Sequence, residues 1–104
     1  MSGGLASLQS RVERISRQYE TAFGIEPGND WIVLKLQEEL GELTQAYLAK
    51  TRRSRHRLEG AEGQEALARE LADVLGFTLA LAERMGIDAE AAVKAKWLKY
   101  ETAP

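Results

Sequence analysis

Two short acidic runs hold the residues best suited to chemistry in this chain. Residues 36–43 read LQEELGEL and residues 67–74 read LARELADV. Glu39 aligns with Glu70 and Glu42 with Asp73, each pair at the same offset. On a helix the two acids of a pair stand at i,i+3, where neighbouring side chains reach one ion. At ~100° per residue, Glu39 and Glu70 fall about 60° to one side of the apolar stripe of their helices. Glu42 and Asp73 fall about 60° further round. Antiparallel packing of the two helices would bring all four carboxylates to one cleft. Two carboxylates ~4 Å apart repel by about 4 kcal/mol at an effective dielectric near 20. That is heavy for a small domain of ~5–15 kcal/mol total stability. A divalent cation removes the repulsion. With no cysteine and one histidine in the chain, an all-carboxylate set favours Mg²⁺, with Mn²⁺ as a substitute, over zinc. The plain alternative is a set of solvated helix acids, since Glu is a strong helix former. The matching angles on both helices favour the metal.

The elements that must position these acids are helices. Leu5, Leu8, Val12, Ile15, Tyr19 and Ala22 recur at steps of three and four, which predicts a helix over 5–23 with one apolar face. Gly24 ends it and GIEPGN connects onward. A second helix starts at the N-cap candidate Asp30 and runs to Lys50, with Ile32, Leu36, Leu40, Leu43 and Tyr47 as its stripe. A polar linker, TRRSRHRLEGAEG, follows. The third helix runs from Gln64 to Met85 on Leu67, Leu71, Val74, Thr78, Leu81 and Met85, with Gly86 as its C-cap. Asp88 caps a fourth helix carrying Val93, Trp97 and Tyr100. β-branched residues are few and strict alternation is absent. The expectation is an all-α, four-helix single domain over 1–104. Its modest core and several apolar faces also point to a homo-oligomer, either a homodimer or a homotetramer.

Composition narrows the rest. The 104 residues hold 14 Lys+Arg against 16 Asp+Glu, a net charge of −2. This is no basic excess of the kind nucleic acid requires. No apolar run has the ~18–20 residues of a membrane span, and the N-terminal segment lacks a secretory pattern. The absence of cysteine excludes a disulfide scaffold and a thiol nucleophile. A cytoplasmic protein binding neither nucleic acid nor membrane is the expectation.

The run Lys35-Leu36-Gln37-Glu38-Glu39-Leu40-Gly41-Glu42-Leu43, followed by Glu70-Leu71-Ala72-Asp73, resembles the EExxE…ExxD signature of the MazG-like nucleoside triphosphate pyrophosphohydrolases. The resemblance spans roughly residues 30–100. It implies a four-helix MazG-like bundle and a Mg²⁺-dependent hydrolase of nucleoside triphosphates. Such an enzyme cuts between the α and β phosphates, giving monophosphate and pyrophosphate, and the role the resemblance implies is nucleotide-pool house-cleaning. It implies Glu39, Glu42, Glu70 and Asp73 as metal ligands. It also implies Glu38 as a further ligand or the group that orients the attacking water. Lys96-Trp97-Leu98-Lys99 resembles the family's basic phosphate-contacting segment, although Ala95 stands where an Asn is usual and Arg69 where an acid often precedes Glu70. Phosphoribosyl-ATP pyrophosphohydrolases share the superfamily but typically continue with Leu-x-Tyr-His, where this chain has Val74-Leu75-Gly76-Phe77. A dUTP- or dCTP-directed relative is a further alternative, and a non-catalytic helical assembly module is another.

Several more residues have two readings. Trp31 either packs in the core or stacks on a base. Trp97, Tyr100 and Tyr47 read as packing residues. Lys35, four residues before Glu39, is a helix ion pair or a phosphate contact. Arg53, in the basic linker 52–57, is either solvated or reaches the triphosphate. His56 reads as an exposed loop residue.

Overall fold

Helix propensity and end signals act where the spacing predicts. The computed structural model describes residues 4–53, 55, 57, 58 and 60–102. His56 lies outside them. Four α-helices follow one another: α1 (Gly4–Ala22), α2 (Asp30–Lys50), α3 (Gly60–Arg84) and α4 (Ala89–Trp97), then a 3₁₀ turn over Leu98–Tyr100. No strand occurs among the described residues. Asp88 caps α4, accepting a hydrogen bond from the Ala91 N–H at 3.1 Å. Gly24 and Gly86 follow the ends of α1 and α3 with φ of 62° and 70°, the left-handed conformation that a helix end favours and glycine accepts without strain. No described helix is long and apolar enough to cross a membrane.

The helices divide into two compact units. One comprises residues 30–78, that is α2 and most of α3. Here the chain reverses, and the Leu58 N–H donates to the Ala49 carbonyl at 3.1 Å, drawing the linker back onto the end of α2. The linker is shorter than the sequence predicts, because 60–63 already belong to α3. Gly63 is buried within that first turn. A Cβ there would collide with the Leu58 carbonyl oxygen and stand 3.2 Å from Lys50 Cγ. Since a backbone carbonyl is in the way, Gly63→Ala is expected to lower stability by about 1–3 kcal/mol, read from a urea midpoint. Gly76→Ala, whose Cβ meets nothing within 4 Å, is the control and should be neutral or stabilising.

The other unit comprises residues 1–29 and 79–104, of which 4–29 and 79–102 are described. Here the structure corrects the sequence. Much of the apolar stripe of α1 faces outward: Leu8 is 46% exposed and Ile15 61%. Buried instead are Gln9, Glu13, Ser16 and Glu20, about 100° round the helix. The reason is Arg84, near the end of α3, whose side chain is 5% exposed. Its guanidinium meets Glu20 Oε2 at 2.8 Å and Glu13 Oε2 at 3.7 Å. It also donates to Ser16 Oγ at 2.9 Å and to the Gly28 carbonyl at 2.8 Å. Gln9 fastens the same face. Its amide donates to the Ile87 carbonyl at 2.6 Å and its oxygen accepts from the Ala89 N–H at 3.1 Å. A buried cation requires counter-charge, and that requirement outweighs the stripe.

The stripe of α2 is also displaced from the buried side. Ile32 is fully buried, but Leu40 and Tyr47 are exposed, as are Val93, Trp97 and Tyr100 near the C-terminus. Of the two placements open to these apolar faces, the core of one chain or a contact with a second subunit, the exposed residues leave the first unfilled. Among the described residues the buried apolar set is small: Ile32, which is fully buried, with Ala49, Leu79, Ala80 and Ala82.

Candidate metal centre

The antiparallel course of α2 and α3 within one unit brings the two acidic runs face to face. Because the inward side of α2 is rotated off its apolar stripe, Glu39 sits at the middle of that side rather than at its border. It is 5% exposed. Carboxylate oxygens of Glu39, Glu70 and Asp73 lie within 4.8 Å of one another, and so do those of Glu38, Glu39 and Glu42. Glu39 belongs to both groups and joins them. Glu70 is half-buried, while Glu38, Glu42 and Asp73 are exposed. The centre is thus a buried carboxylate ringed by four more accessible ones.

Its electrostatics are those of an anion cluster short of positive charge. Glu39 titrates at about 7, raised first by burial, then by the hydrogen bond and charge of Glu42 and by the charge of Asp73. Lys35 acts against this, with its Nζ 3.7 Å from Glu39 Oε1 and 3.0 Å from Glu38 Oε1. Glu70 is likewise raised, first by burial and then by Glu42 and Asp73. Glu39 Oε2 and Glu70 Oε2 are buried without a hydrogen-bond donor. Buried polar atoms are rarely left so. Hard oxygen donors, buried, anionic and undonated, fit a divalent cation such as Mg²⁺ or Mn²⁺.

The remaining residues singled out in the sequence fall in different places. Lys35 lies beside the acids. Trp31, half-buried, meets the Phe77 ring edge-on at 6.2 Å between centroids. The Arg53 guanidinium donates to Tyr47 Oη at 3.0 Å and stands 5.2 Å from the Tyr47 ring centre. Helical geometry puts Tyr47 on the side of α2 away from Glu38 and Glu42. Lys96 and Lys99 are exposed in the other unit, Lys99 Nζ lying 5.2 Å from the Tyr100 ring centre.

Sequence reasoning missed a cleft that continues from the acids. It measures about 580 Å³, and its walls include Glu38, Glu42 and Glu70 at one end and Ala49, Leu58 and Ala66 at the other. Gln45 lies along it. The signal available was a line of small or polar residues at Gly41, Gln45, Ala46 and Ala49, which continues the acid face of α2 one turn at a time.

A family model described as phosphoribosyl-ATP pyrophosphohydrolase matches residues 5–95 of the chain. No curated protein and no solved structure matches it.

Proposed function

Because the chain belongs to the phosphoribosyl-ATP pyrophosphohydrolase family, within the MazG-like superfamily, we propose that it hydrolyses the α–β phosphoanhydride of nucleoside triphosphates. The products are the nucleoside monophosphate and pyrophosphate. The observation that carries this reading is the carboxylate centre itself, in which Glu39, Glu70 and Asp73 converge within 4.8 Å with two buried oxygens lacking donors. Glu39, Glu42, Glu70 and Asp73 are the groups that would hold Mg²⁺. When bound, the cation neutralises phosphate charge and acidifies a water.

The chain's own residues do the rest. Glu38, exposed at the edge of the centre and held by Lys35, accepts the proton of the attacking water. The water oxygen adds in line to one phosphorus of the anhydride, and the bond from that phosphorus to the bridging oxygen breaks. Lys35, paired with Glu38 before the proton moves, is then free to offset the negative charge developing on the phosphates. Trp31, on the same side of α2 as Lys35, is the aromatic residue best placed along that helix to flank the substrate.

A second reading takes phosphoribosyl-ATP itself as the substrate. The description of the matching family favours it, and the residues after Asp73, Val74-Leu75-Gly76-Phe77, stand against it. The experiment is pyrophosphate release from a panel of canonical and modified nucleoside triphosphates and phosphoribosyl-ATP, with millimolar Mg²⁺ and again with chelator. Metal-dependent release from the plain triphosphates is expected. Silence across the panel would overturn the assignment and leave the helical assembly module.

We also propose a homo-oligomer. Its support is the outward stripe of α1, where Leu8, Ile15 and Tyr19 are exposed, with Phe23 exposed just after the helix, beside a small buried core. Patches of that kind mark contact surfaces. Ile15→Glu is expected to convert the protein to a smaller species in sedimentation velocity, and an unchanged sedimentation coefficient would place the interface elsewhere.

A further inference from the structure

The cleft beside the acids has a direction. Its residues on α2 are Glu38, Gly41, Glu42, Gln45, Ala46 and Ala49, all on one side of the helix. The acids therefore sit at one end and small apolar side chains at the other. From Glu42 to Ala49 the helix rises by about 10 Å at 1.5 Å per residue. That is about the length of a base joined to its sugar, and about 580 Å³ is within the ~300–1,000 Å³ of small-molecule sites. The far end is walled by Ala49, Leu58 and Ala66, and Gln45 is the uncharged hydrogen-bonding side chain on the wall. No basic side chain is among the described residues that line it, whereas Glu38, Glu42 and Glu70 are.

Building on the proposed hydrolysis, we propose that this cleft seats the nucleoside end of the substrate and that Gln45 is its specificity-determining residue. A carboxamide offers a donor and an acceptor together, the complement of a base edge. The small side chains at Ala46, Ala49 and Ala66 leave room for a flat ring. The charge of the wall sets the substrate class. A nucleoside with no further phosphate fits, while a second phosphoribosyl arm on the base would put a dianion at the apolar end, walled by Ala49, Leu58 and Ala66, with no cation among the described lining residues to receive it. The substrate is thus a plain nucleoside triphosphate rather than a phosphoribosylated one.

The test separates this inference from the hydrolysis on which it builds. Calorimetric titration of the full chain in Mg²⁺ with a panel of nucleoside monophosphates reads the cleft without turnover. Steady-state pyrophosphate release from the corresponding triphosphates reads the reaction. Gln45→Leu replaces an exposed side chain, and Ala66→Leu fills the cleft. The expected result is one preferred base for wild type and loss of that preference by about tenfold or more in Gln45→Leu, seen as a raised KM. Ala66→Leu should weaken binding of all the monophosphates, with stabilisation by Mn²⁺ alone retained in thermal melts. Phosphoribosyl-AMP should bind at least tenfold more weakly than AMP. Base-selective monophosphate binding without hydrolysis of any triphosphate would refute the reaction and keep the cleft. Hydrolysis with base ranking and KM unchanged in both variants would refute the cleft and keep the reaction. No monophosphate binding to wild type, or tighter binding of phosphoribosyl-AMP, would also overturn it.

Discussion

Glu39→Gln is expected to lower pyrophosphate release by at least ~10²-fold while leaving the helical content unchanged. Removing a group that only orients a metal ligand costs ~10–100-fold, and Glu39 belongs to both carboxylate groups of the centre. Its loss therefore dismantles both. The same substitution should raise the stability of the metal-free protein, and the sign follows from titration. Burial and neighbouring acids lift Glu39 from 4.5 to about 7. Between those values the folded chain keeps a proton that the unfolded chain has released, so folding stability falls as pH rises through that window. Below it the penalty is absent, and above it the penalty is complete. Gln imitates the protonated acid at every pH. In chelator the variant should melt close to wild type at pH 4.5 and ~5 °C or more above it at pH 8. Mg²⁺ should stabilise wild type at pH 8 and the variant much less. Calorimetric melts at the two pH values check this. Activity within tenfold of wild type would remove Glu39 from the site, and a melting difference that shrinks with pH would remove the carboxylate cluster as its cause.

The largest effect on stability is expected from Arg84→Met. Glu20 would then lose the buried guanidinium 2.8 Å away, and Glu13 would keep only Arg17 at 2.7 Å; breaking a buried pair on one side costs about 3–5 kcal/mol. Against a total on the order of 5–15 kcal/mol, much of the protein should be unfolded at 37 °C. Ser16 Oγ and the Gly28 carbonyl lose a donor as well. A triple variant, Arg84→Met with Glu13→Leu and Glu20→Leu, should recover much of the loss, because the cost comes from stranded charge more than from the missing bond. Urea midpoints of the wild type, single and triple variants decide it. An Arg84→Met midpoint matching wild type would mean that the inward polar side of α1 has another cause.

These two residues show different degrees of legibility. Glu39 could be found in the sequence because its signal is local. Its place three residues before Glu42 and its likeness to Glu70 are facts of spacing, and helix geometry turns spacing into position. The Asp88 cap and the glycines after α1 and α3 were readable for the same reason, since each helix end is set by a few neighbouring residues. Arg84 was not readable as the partner of α1, because Glu13 and Glu20 lie 71 and 64 residues away in the chain. Nothing in the periodicity of α1 reports a cation brought to it by another helix.

The sequence alone therefore determined an all-helical chain, the bounds of its helices to within a few residues, and the acids that would meet when α2 and α3 run antiparallel. The tertiary structure decided which side of each helix turns inward. On α1 it placed four polar residues inside and much of the apolar stripe outside. On α2 it moved Glu39 from the border of the seam to its middle, and it opened the cleft along Gln45. It also put Gly63 beneath the Leu58 carbonyl, where the sequence read a polar linker. The physical reason is the range of the forces. Helix formation and capping depend on residues a few positions apart. The facing of a helix depends on desolvating a distant charge and on close packing, and both act between segments that only the folded chain brings together.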